Sequence, residues 1–260
     1  LNDYVGSDGR YTPLVAETEL ELPVEALRDI EIVDTPGMND PVLSRTDKTR
    51  EYMAKCDVVF FLSRASQFLD ETDQLLLTAQ LPQKGVKRMV LVASQFDAVI
   101  LDDGYNRRSY TECITILRKK LTDRASATLE AFISRCRTNG HNQLAEQLQR
   151  LATPYFVSSH AALIAQLPAE HLPPSVQHTL KEMDDLANEW GMTFTKKEWK
   201  DIAGFESVRA ALEESRAEKE VILAEQRRDL EAHLQDHLLH LLQSLHDQAQ
   251  ERINTLSHID

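Results

Sequence analysis

The sequence predicts an α/β protein with a doubly wound parallel sheet, a helical insertion and a long C-terminal helix. Two continuous apolar runs, at 58–62 and 89–93, are typical of strands that are buried on both faces of a parallel sheet. Helical segments alternate with these strands, which favours a doubly wound arrangement. Such sheets bind ligands at the carboxyl ends of their strands, so the residues after each strand are the candidate site.

Further strands and short helices are predicted on either side of these runs. Residues 14–22 alternate apolar side chains with Glu17, Glu19 and Glu21, which is the period-two pattern of a half-buried strand. The apolar segment at 30–34 predicts another short strand. The other expected elements are helices at 45–55 and 70–80, a strand at 155–157 and a loop at 167–174.

Helices dominate the remainder of the chain. The stretch at 107–151, broken only at Asn139-Gly140, predicts a helical hairpin inserted between two strands. A final helix is predicted from 206 to the end, with apolar side chains at spacings of three and four that indicate a coiled-coil-like stripe. The stripe consists of Leu230, Leu234, Leu238, Leu241, Leu245, Ala249, Ile253 and Leu256. Such a stripe must face another helix, from another segment or another subunit.

Composition narrows the possible functions of this 260-residue chain. The net charge of -13 argues against nucleic-acid binding, which usually needs a basic face. It also disfavours attraction of the whole surface to anionic lipid. Three cysteines without metal-ligand or redox spacing indicate reduced thiols in a cytoplasmic protein. No apolar run approaches the roughly 20 residues of a membrane span.

The segment Asp34-Thr35-Pro36-Gly37 is the strongest candidate for function, because it ends a predicted strand. In P-loop GTPases, an Asp at such a position holds a water on Mg²⁺ near the γ-phosphate. A following Gly can bring its backbone N–H close to that phosphate, since it has no side chain. Asp34, Thr35 and Gly37 are therefore predicted to bind nucleotide, with Asp34 on the metal side. The alternative is an ordinary strand-to-loop turn.

A second candidate segment, Ser94-Gln95-Phe96-Asp97, follows the apolar run at 89–93. GTPases carry Asn/Thr-Lys-x-Asp at this place, and the Asp accepts hydrogen bonds from guanine N1 and N2, which adenine cannot donate. Ser94 replaces the Asn or Thr and Gln95 replaces the Lys, so Asp97 alone keeps the expected residue type. The alternative is a surface loop after a strand.

The third candidate segment is Ser158-Ser159-His160, which follows the strand predicted at 155–157. Many GTPases place a small loop here that touches guanine O6 through backbone N–H groups. Each of the three segments follows a strand at the carboxyl edge of the sheet. Their shared position favours a nucleotide site over three unrelated loops.

Together these segments resemble the bacterial dynamin-like GTPases, where Asp-Thr-Pro-Gly-hydrophobic-Asn is typical and residues 34–39 match it. The run at 61–73 and the Gly204-Phe205 pair that opens the last helix are also similar to that family. The resemblance covers about residues 10–210. It implies a P-loop GTPase-like fold that binds GTP or GDP with Mg²⁺. It also implies pairing of GTPase domains across the nucleotide, a helical stalk and, often, membrane remodelling.

The resemblance divides the chain into a GTPase domain at 1–205 and the start of a helical stalk at 206–260. In the family, a Gly-x-x-x-x-Gly-Lys-Ser/Thr loop precedes the Asp-Thr-Pro-Gly strand and cradles the phosphates. Residues 1–29 contain no Lys, so this loop is expected to be absent and the sheet incomplete. The chain alone is therefore expected to be inactive, and no catalytic residue is assigned.

Three hypotheses are compatible with these residues. In the first, the full protein hydrolyses GTP to drive assembly or membrane remodelling, in the cytoplasm or peripheral to a membrane. In the second, the fold is a GTPase-derived scaffold without turnover, which Gln95 and the missing phosphate loop favour. In the third, the leucine stripe makes the chain an interaction module. The expected partners are guanine nucleotide and further copies of the protein, with no nucleic acid.

Overall fold

The chain divides into two compact units, Leu1–Thr46 and Asp47–Asp260. The computed structural model describes residues 2–5, 9–11, 14–15, 18–25, 30–34, 56, 58–77, 88–138, 140, 142–217 and isolated helical positions beyond 217. In the first unit, helix α1 spans Asn2–Val5. The helix predicted at 45–55 lies outside the described residues.

The second unit alternates strands and helices, as the sequence predicts. Its described elements are β1 (Val58–Arg64), α2 (Glu71–Leu75), β2 (Arg88–Ser94), α3 (Phe96–Gly104), α4 (Tyr110–Thr138), α5 (Asn142–Leu151), β3 (Tyr155–Phe156), α6 (Ser159–Gln166), α7 (Pro174–Glu189), α8 (Lys196–Ala203) and α9 (Phe205–Ala217). The predicted loop at 167–174 contains a 3₁₀ turn at Ala169–His171. Helices α3, α6, α7 and α8 were not predicted.

The three described strands form a parallel sheet in the order β1-β2-β3. β1 pairs with β2 along its whole length, with Val58 opposite Arg88 at one end and Arg64 opposite Ser94 at the other. β2 also pairs with both residues of β3. The five central residues of β2 are buried, which agrees with the apolar run that predicted this strand. The mixed α/β class is thus confirmed, whereas a complete doubly wound sheet is not seen in the described residues.

The strands predicted at 14–22 and 30–34 are not formed by the described residues of those segments. Their apolar side chains are largely exposed, with 83% exposure for Leu14 and 68% for Ile32. Alternation supplies an apolar face, but a strand also needs a paired neighbour for its N–H and C=O groups. The described part of the first unit contains no strand that could pair with them, and the prediction from alternation is wrong there.

The predicted helical hairpin is confirmed as α4 and α5, which lie between β2 and β3 in the chain. One stripe of α4 is buried because apolar residues recur at helical spacing along it. This stripe includes Cys113, Leu117, Leu121, Ala125 and Leu129. Gly140 lies in the turn with a φ of 78°, a backbone conformation that glycine adopts without steric cost.

The first turns of the C-terminal helix pack on one face of the sheet. Ala211 of α9 is buried in the same apolar cluster as Val90 and Val92 of β2. At the start of β2, Nη2 of Arg88 lies 2.8 Å from Oε2 of Glu214 on α9. α9 therefore begins as part of the α/β unit, while the boundary predicted between 205 and 206 remains a prediction.

Close packing between α9 and β3 depends on Gly204. This residue ends α8 in the left-handed region, with a φ of 66°. A Cβ atom at this position would lie 1.8 Å from the carbonyl oxygen of Phe156 in β3. Only glycine allows this approach, so one residue without a side chain positions α9 against the end of the sheet.

Beyond α9 the structure describes isolated helical positions, among which Leu230 and Leu238 are exposed. The remainder of the leucine stripe lies outside the described residues, so its partner helix stays a prediction. In the part of the chain that the structure describes, no helix is both long enough and apolar enough to cross a membrane.

Candidate functional site at the carboxyl ends of β2 and β3

The backbone turns sharply where β2 ends and α3 begins. Gln95 makes this turn in the left-handed region, with φ 56° and ψ 43°, at a cost of about 1–2 kcal/mol for a residue with a side chain. The turn places Asp97 in the first turn of α3, where the helix dipole favours a carboxylate. Asp97 is only 7% exposed. Backbone strain of this kind clusters at functional sites, which supports the predicted role of this turn.

Hydrogen bonds hold the end of β3 against the end of β2. The N–H of Val157 donates to the carbonyl of Ala93 at 2.9 Å, and the N–H of Phe96 donates to the carbonyl of Val157 at 2.9 Å. The hydroxyl of Ser94 donates to the carbonyl of Ser63 at 3.2 Å and joins β2 to β1. The segments after β2 and β3 therefore lie side by side, as the prediction of one shared site requires.

Ser158 is fully buried and is occupied by structural hydrogen bonds. It caps α6, with its Oγ accepting from the N–H of Ala161 at 3.0 Å. Its own N–H donates to the carbonyl of Ala203 at 3.2 Å. The predicted contact between this N–H and a bound nucleotide would need that bond to break. Ser159, which is exposed, and His160 are the residues of this segment that line a cleft.

His160 lies close to the buried carboxylate of Asp97. Its Nδ1 is 3.6 Å from Oδ2 of Asp97 and 2.8 Å from Oγ1 of Thr179 on α7. The Thr179 hydroxyl is also 3.3 Å from the carbonyl of Ser175 and is positioned to donate to it. α7 therefore helps to orient the imidazole beside Asp97.

These residues surround a cleft of about 750 Å³, called the base cleft below. Its polar lining contains Ser94, Gln95, Asp97, Ser159 and His160. Apolar side chains complete the wall, among them Phe60 of β1 and Phe205 of α9. An apolar wall with a few placed polar groups is the usual composition of a small-molecule site. The structure thus brings together five of the predicted nucleotide-binding residues.

The phosphate-side residues predicted from the sequence lie elsewhere in the chain. Asp34 belongs to the first unit and is exposed, while Thr35 and Gly37 lie outside the described residues. One exposed carboxylate fits Mg²⁺, which often takes one or two carboxylates together with phosphates and waters. Within the described residues, no group of three His, Cys, Asp or Glu is placed to hold a metal ion.

Thr179 and Phe205 are among the contributors to the base cleft that were not predicted. Thr179 lies 19 residues after His160 in the sequence, and no local pattern relates them. Phe205 was noted only as the residue that opens the last helix. The apolar residue after a helix-ending glycine was a possible signal, because a hydrophobic contact frequently accompanies such a helix end.

A parallel sheet with a polar cleft at its carboxyl edge is consistent with a GTPase-like domain. Residues 15–96 match the family model described as Dynamin family. The matched range includes the Asp34–Gly37 segment and ends one residue before Asp97. No solved structure matches the chain.

A curated relative is also similar to part of the chain. Dynamin-like protein 1 of Campylobacter jejuni subsp. jejuni serotype O:23/36 (strain 81-176) is 26% identical to the chain over 125 residues. The aligned region covers 48% of this chain and 16% of the relative, so the chain spans a small part of that protein's length. The family match and this relative show that part of the chain is similar to proteins of the dynamin family.

Proposed function

We propose that the base cleft binds the guanine of GTP or GDP, within a protein that hydrolyses GTP with Mg²⁺ to drive assembly or membrane remodelling. The observation that carries this proposal is the buried carboxylate of Asp97 at the carboxyl end of β2. Guanine offers N1–H and N2–H₂ to the two oxygens of such a carboxylate, whereas adenine offers no matching donors. The apolar wall at Phe60 and Phe205 suits the faces of a flat base.

Contacts to the phosphates are proposed for the Asp34–Gly37 segment. Asp34 is proposed to bind Mg²⁺ through a water, with Thr35 and Gly37 beside the γ-phosphate. The chain contains no Gly-x-x-x-x-Gly-Lys-Ser/Thr sequence, which is the usual cradle for the β- and γ-phosphates. Hydrolysis is therefore proposed for the whole protein, and this chain alone is expected to bind nucleotide weakly without turnover.

A second candidate function is a nucleotide-independent scaffold on the same fold. Gln95 stands where the family has a Lys, and His160 lies 3.6 Å from the carboxylate that guanine would need. An N–H group of His160 at this position would compete with guanine for Asp97, because both offer N–H donors. The scaffold hypothesis predicts that the complete protein neither binds nor hydrolyses GTP.

Self-association is proposed for the same protein through the GTPase domain and the leucine stripe. The exposed side chains of Leu230 and Leu238 support it, because a stripe of this spacing is stabilised by a second helix. Sedimentation velocity with and without GTP measures this association. A monomer under both conditions, at tens of micromolar protein, would contradict it.

Calorimetric titration with Mg²⁺ and GDP, GTP, ATP or xanthosine diphosphate tests the proposed base recognition. It is made on this chain and on a version that carries upstream sequence with a phosphate loop. We expect guanine preference in the longer version. The Asp97→Asn variant should bind guanine at least tenfold more weakly, because a hydrogen bond to a charged group contributes about 1.5–3 kcal/mol.

Xanthine supplies the positive control for this experiment. It has a carbonyl where guanine has its 2-amino group, so an Asn amide can donate to it and the variant should gain affinity for xanthosine diphosphate. Asp102→Asn is the matched variant, since Asp102 is an exposed carboxylate on the same helix, and it should leave guanine binding unchanged. Absence of binding by both chain lengths would favour the scaffold.

A further inference from the structure

A second cleft, called the basic cleft below, lies beside β3 in this acidic chain. Its volume is about 830 Å³, and α4, β3, α8 and the start of α9 form its wall. Four basic and two acidic side chains line it: Arg118, Lys196, Lys197, Lys200, Asp201 and Glu206. The lining therefore has an excess of positive charge, although the whole chain carries a net charge of -13.

Lys196 and Lys197 occupy electrostatically unfavourable positions at the start of α8, whereas Lys200 lies in its last turn, where the helix dipole favours a cation. Lys196 and Lys197 are the first two residues after the N-cap Thr195. A cation at this positive end of a helix dipole loses about 0.3–1 kcal/mol relative to a favourable position. Lys200 follows Lys196 by four residues, and like charges at this spacing repel each other. A bound anion would offset both effects.

Two of the nearby carboxylates, those of Asp201 and Glu198, are occupied by other partners. Oδ1 of Asp201 accepts from Nη2 of Arg118 at 3.1 Å, and Oδ2 of Asp201 accepts from the hydroxyl of Tyr110 at 2.9 Å. Glu198 accepts from the N–H of Thr195 at 2.9 Å, and hydrogen bonds from Thr195 lower the pKa of its carboxyl. Within the described residues, the three lysines take part in none of the ion pairs.

Arg118 also keeps an unused hydrogen-bond donor in the wall of this cleft. Its Nε is buried and has no hydrogen-bond partner. Among the described residues, every other buried side-chain nitrogen or oxygen has a partner. Buried donors are rarely left unsatisfied in folded proteins. The excess positive charge of the basic cleft therefore indicates an anionic ligand, whereas the Nε of Arg118 is closed off from solvent and gives no evidence for one.

We propose that the basic cleft binds a ligand that carries two or more phosphate groups, either free or as a lipid headgroup. The ammonium group of Lys binds phosphate as a compact point charge, and three such groups line one concave surface. The guanidinium of Arg118, which suits a planar carboxylate, is already paired with Asp201. This site shares none of its lining residues with the base cleft.

Calorimetric titration of the whole chain with inorganic pyrophosphate, without nucleotide, tests the proposal. The variant Lys196→Gln/Lys197→Gln/Lys200→Gln should lose at least tenfold in affinity, and wild-type affinity should fall as salt rises. Lys181→Gln, an exposed lysine on α7, is the control and should bind like the wild type. Thermal unfolding of each variant checks that the exposed substitutions leave the fold intact.

Co-sedimentation with vesicles distinguishes the two sources of phosphate. Binding to phosphatidylcholine vesicles that contain phosphatidylinositol 4,5-bisphosphate, lost in the triple variant, would assign a lipid headgroup. Pyrophosphate binding without vesicle binding would assign a free ligand. The proposal fails if pyrophosphate does not bind at millimolar concentration, if the triple variant binds it unchanged, or if a poly-glutamate peptide binds more tightly.

The Asp97→Asn variant separates this proposal from the proposed function. We expect it to bind pyrophosphate like the wild type, because Asp97 belongs to the base cleft. If Asp97→Asn abolished pyrophosphate binding and the lysine variant did not, the phosphate would sit with the nucleotide, and the basic-cleft proposal would be overturned.

Discussion

The base cleft and the basic cleft adjoin along α9 but are constructed differently. Phe205 and Val208 line the base cleft, whereas Glu206 and Ser207 from the same turn line the basic cleft. In the base cleft the charged group is Asp97, which is 7% exposed and held at the start of a helix. In the basic cleft the lysines are exposed, and each carries its ammonium group at the end of a flexible side chain.

This difference indicates two kinds of recognition. A buried, oriented carboxylate distinguishes ligands by the pattern of their hydrogen-bond donors, because its oxygens cannot move to suit a different pattern. Exposed ammonium groups supply charge with little fixed geometry. We therefore expect the base cleft to select a particular base with little dependence on salt. The basic cleft should accept several polyphosphates and lose affinity as salt rises.

The largest loss of stability is expected from substitution of Gly204, which lies where the two clefts adjoin. Gly204→Ala places a Cβ 1.8 Å from the carbonyl oxygen of Phe156 at a φ of 66°. Left-handed backbone costs an L-residue about 1–2 kcal/mol, and the steric overlap adds about 1–3 kcal/mol. We expect the free energy of unfolding, measured by chemical denaturation, to fall by about 3 kcal/mol or more.

Gly191→Ala is the matched control for this substitution. Gly191 has the same φ of 66°, but a Cβ there would meet nothing within 4 Å. This variant should lose only the backbone contribution of about 1–2 kcal/mol. Equal losses in the two variants would show that the approach of Gly204 to β3 does not constrain the fold.

A smaller loss of stability is expected from substitution of Ser158. The sequence predicts this residue to bind nucleotide, whereas in the structure its side chain caps a helix. Ser158→Ala removes the acceptor for the N–H of Ala161, and loss of such a cap costs about 0.5–2 kcal/mol. Ser159→Ala, at the exposed neighbouring position, should change stability by less than about 0.5 kcal/mol. A reversed order of unfolding free energies would mean that the capping role is misassigned.

The smallest loss of stability is expected from substitution of Tyr110, which donates a hydrogen bond to Asp201 in the lining of the basic cleft. Tyr110→Phe removes the hydrogen bond to Asp201 and should cost about 0.5–1 kcal/mol at neutral pH. Burial, followed by the bond to Asp201, raises the pKa of Tyr110 above its ordinary value of 10.0. The wild type therefore has its full advantage below pH 10.0, and the advantage is lost as pH rises through the higher pKa of the folded state.

Tyr105→Phe serves as the control for that comparison, because Tyr105 is exposed by 57%. Chemical denaturation at neutral and alkaline pH measures both variants. A constant difference between the wild type and Tyr110→Phe at all pH values would show that Tyr110 ionises normally in the folded protein.

Strands were predicted correctly where burial on both faces of the sheet produces a continuous run of apolar residues. The runs at 58–62 and 89–93 predicted β1 and β2 to within two residues at each end. The segment at 14–22 was predicted from period-two alternation instead, and it forms no strand in its described residues. An apolar pattern states which face can be buried, but pairing depends on a neighbour that the local sequence does not specify.

The candidate site was predictable to the extent that it follows strand ends. Asp97 and His160 were identified because parallel strands present their carboxyl ends at one edge, and the structure places both in one cleft. Thr179 could not be identified, since its contact with His160 depends on how α7 packs. The lysines of the basic cleft appear in the sequence as an ordinary exposed helix end.

By itself, the sequence determined the α/β class, the dynamin-family resemblance and the strand ends that carry the candidate site. Only the tertiary structure decided that Ser158 forms hydrogen bonds with Ala161 and Ala203. The same holds for the hydrogen bonds that the Asp201 carboxylate accepts from Arg118 and Tyr110. The physical reason is that apolar periodicity is a local property of the chain. Which polar groups remain available to a ligand depends on hydrogen bonds between residues that only folding brings together.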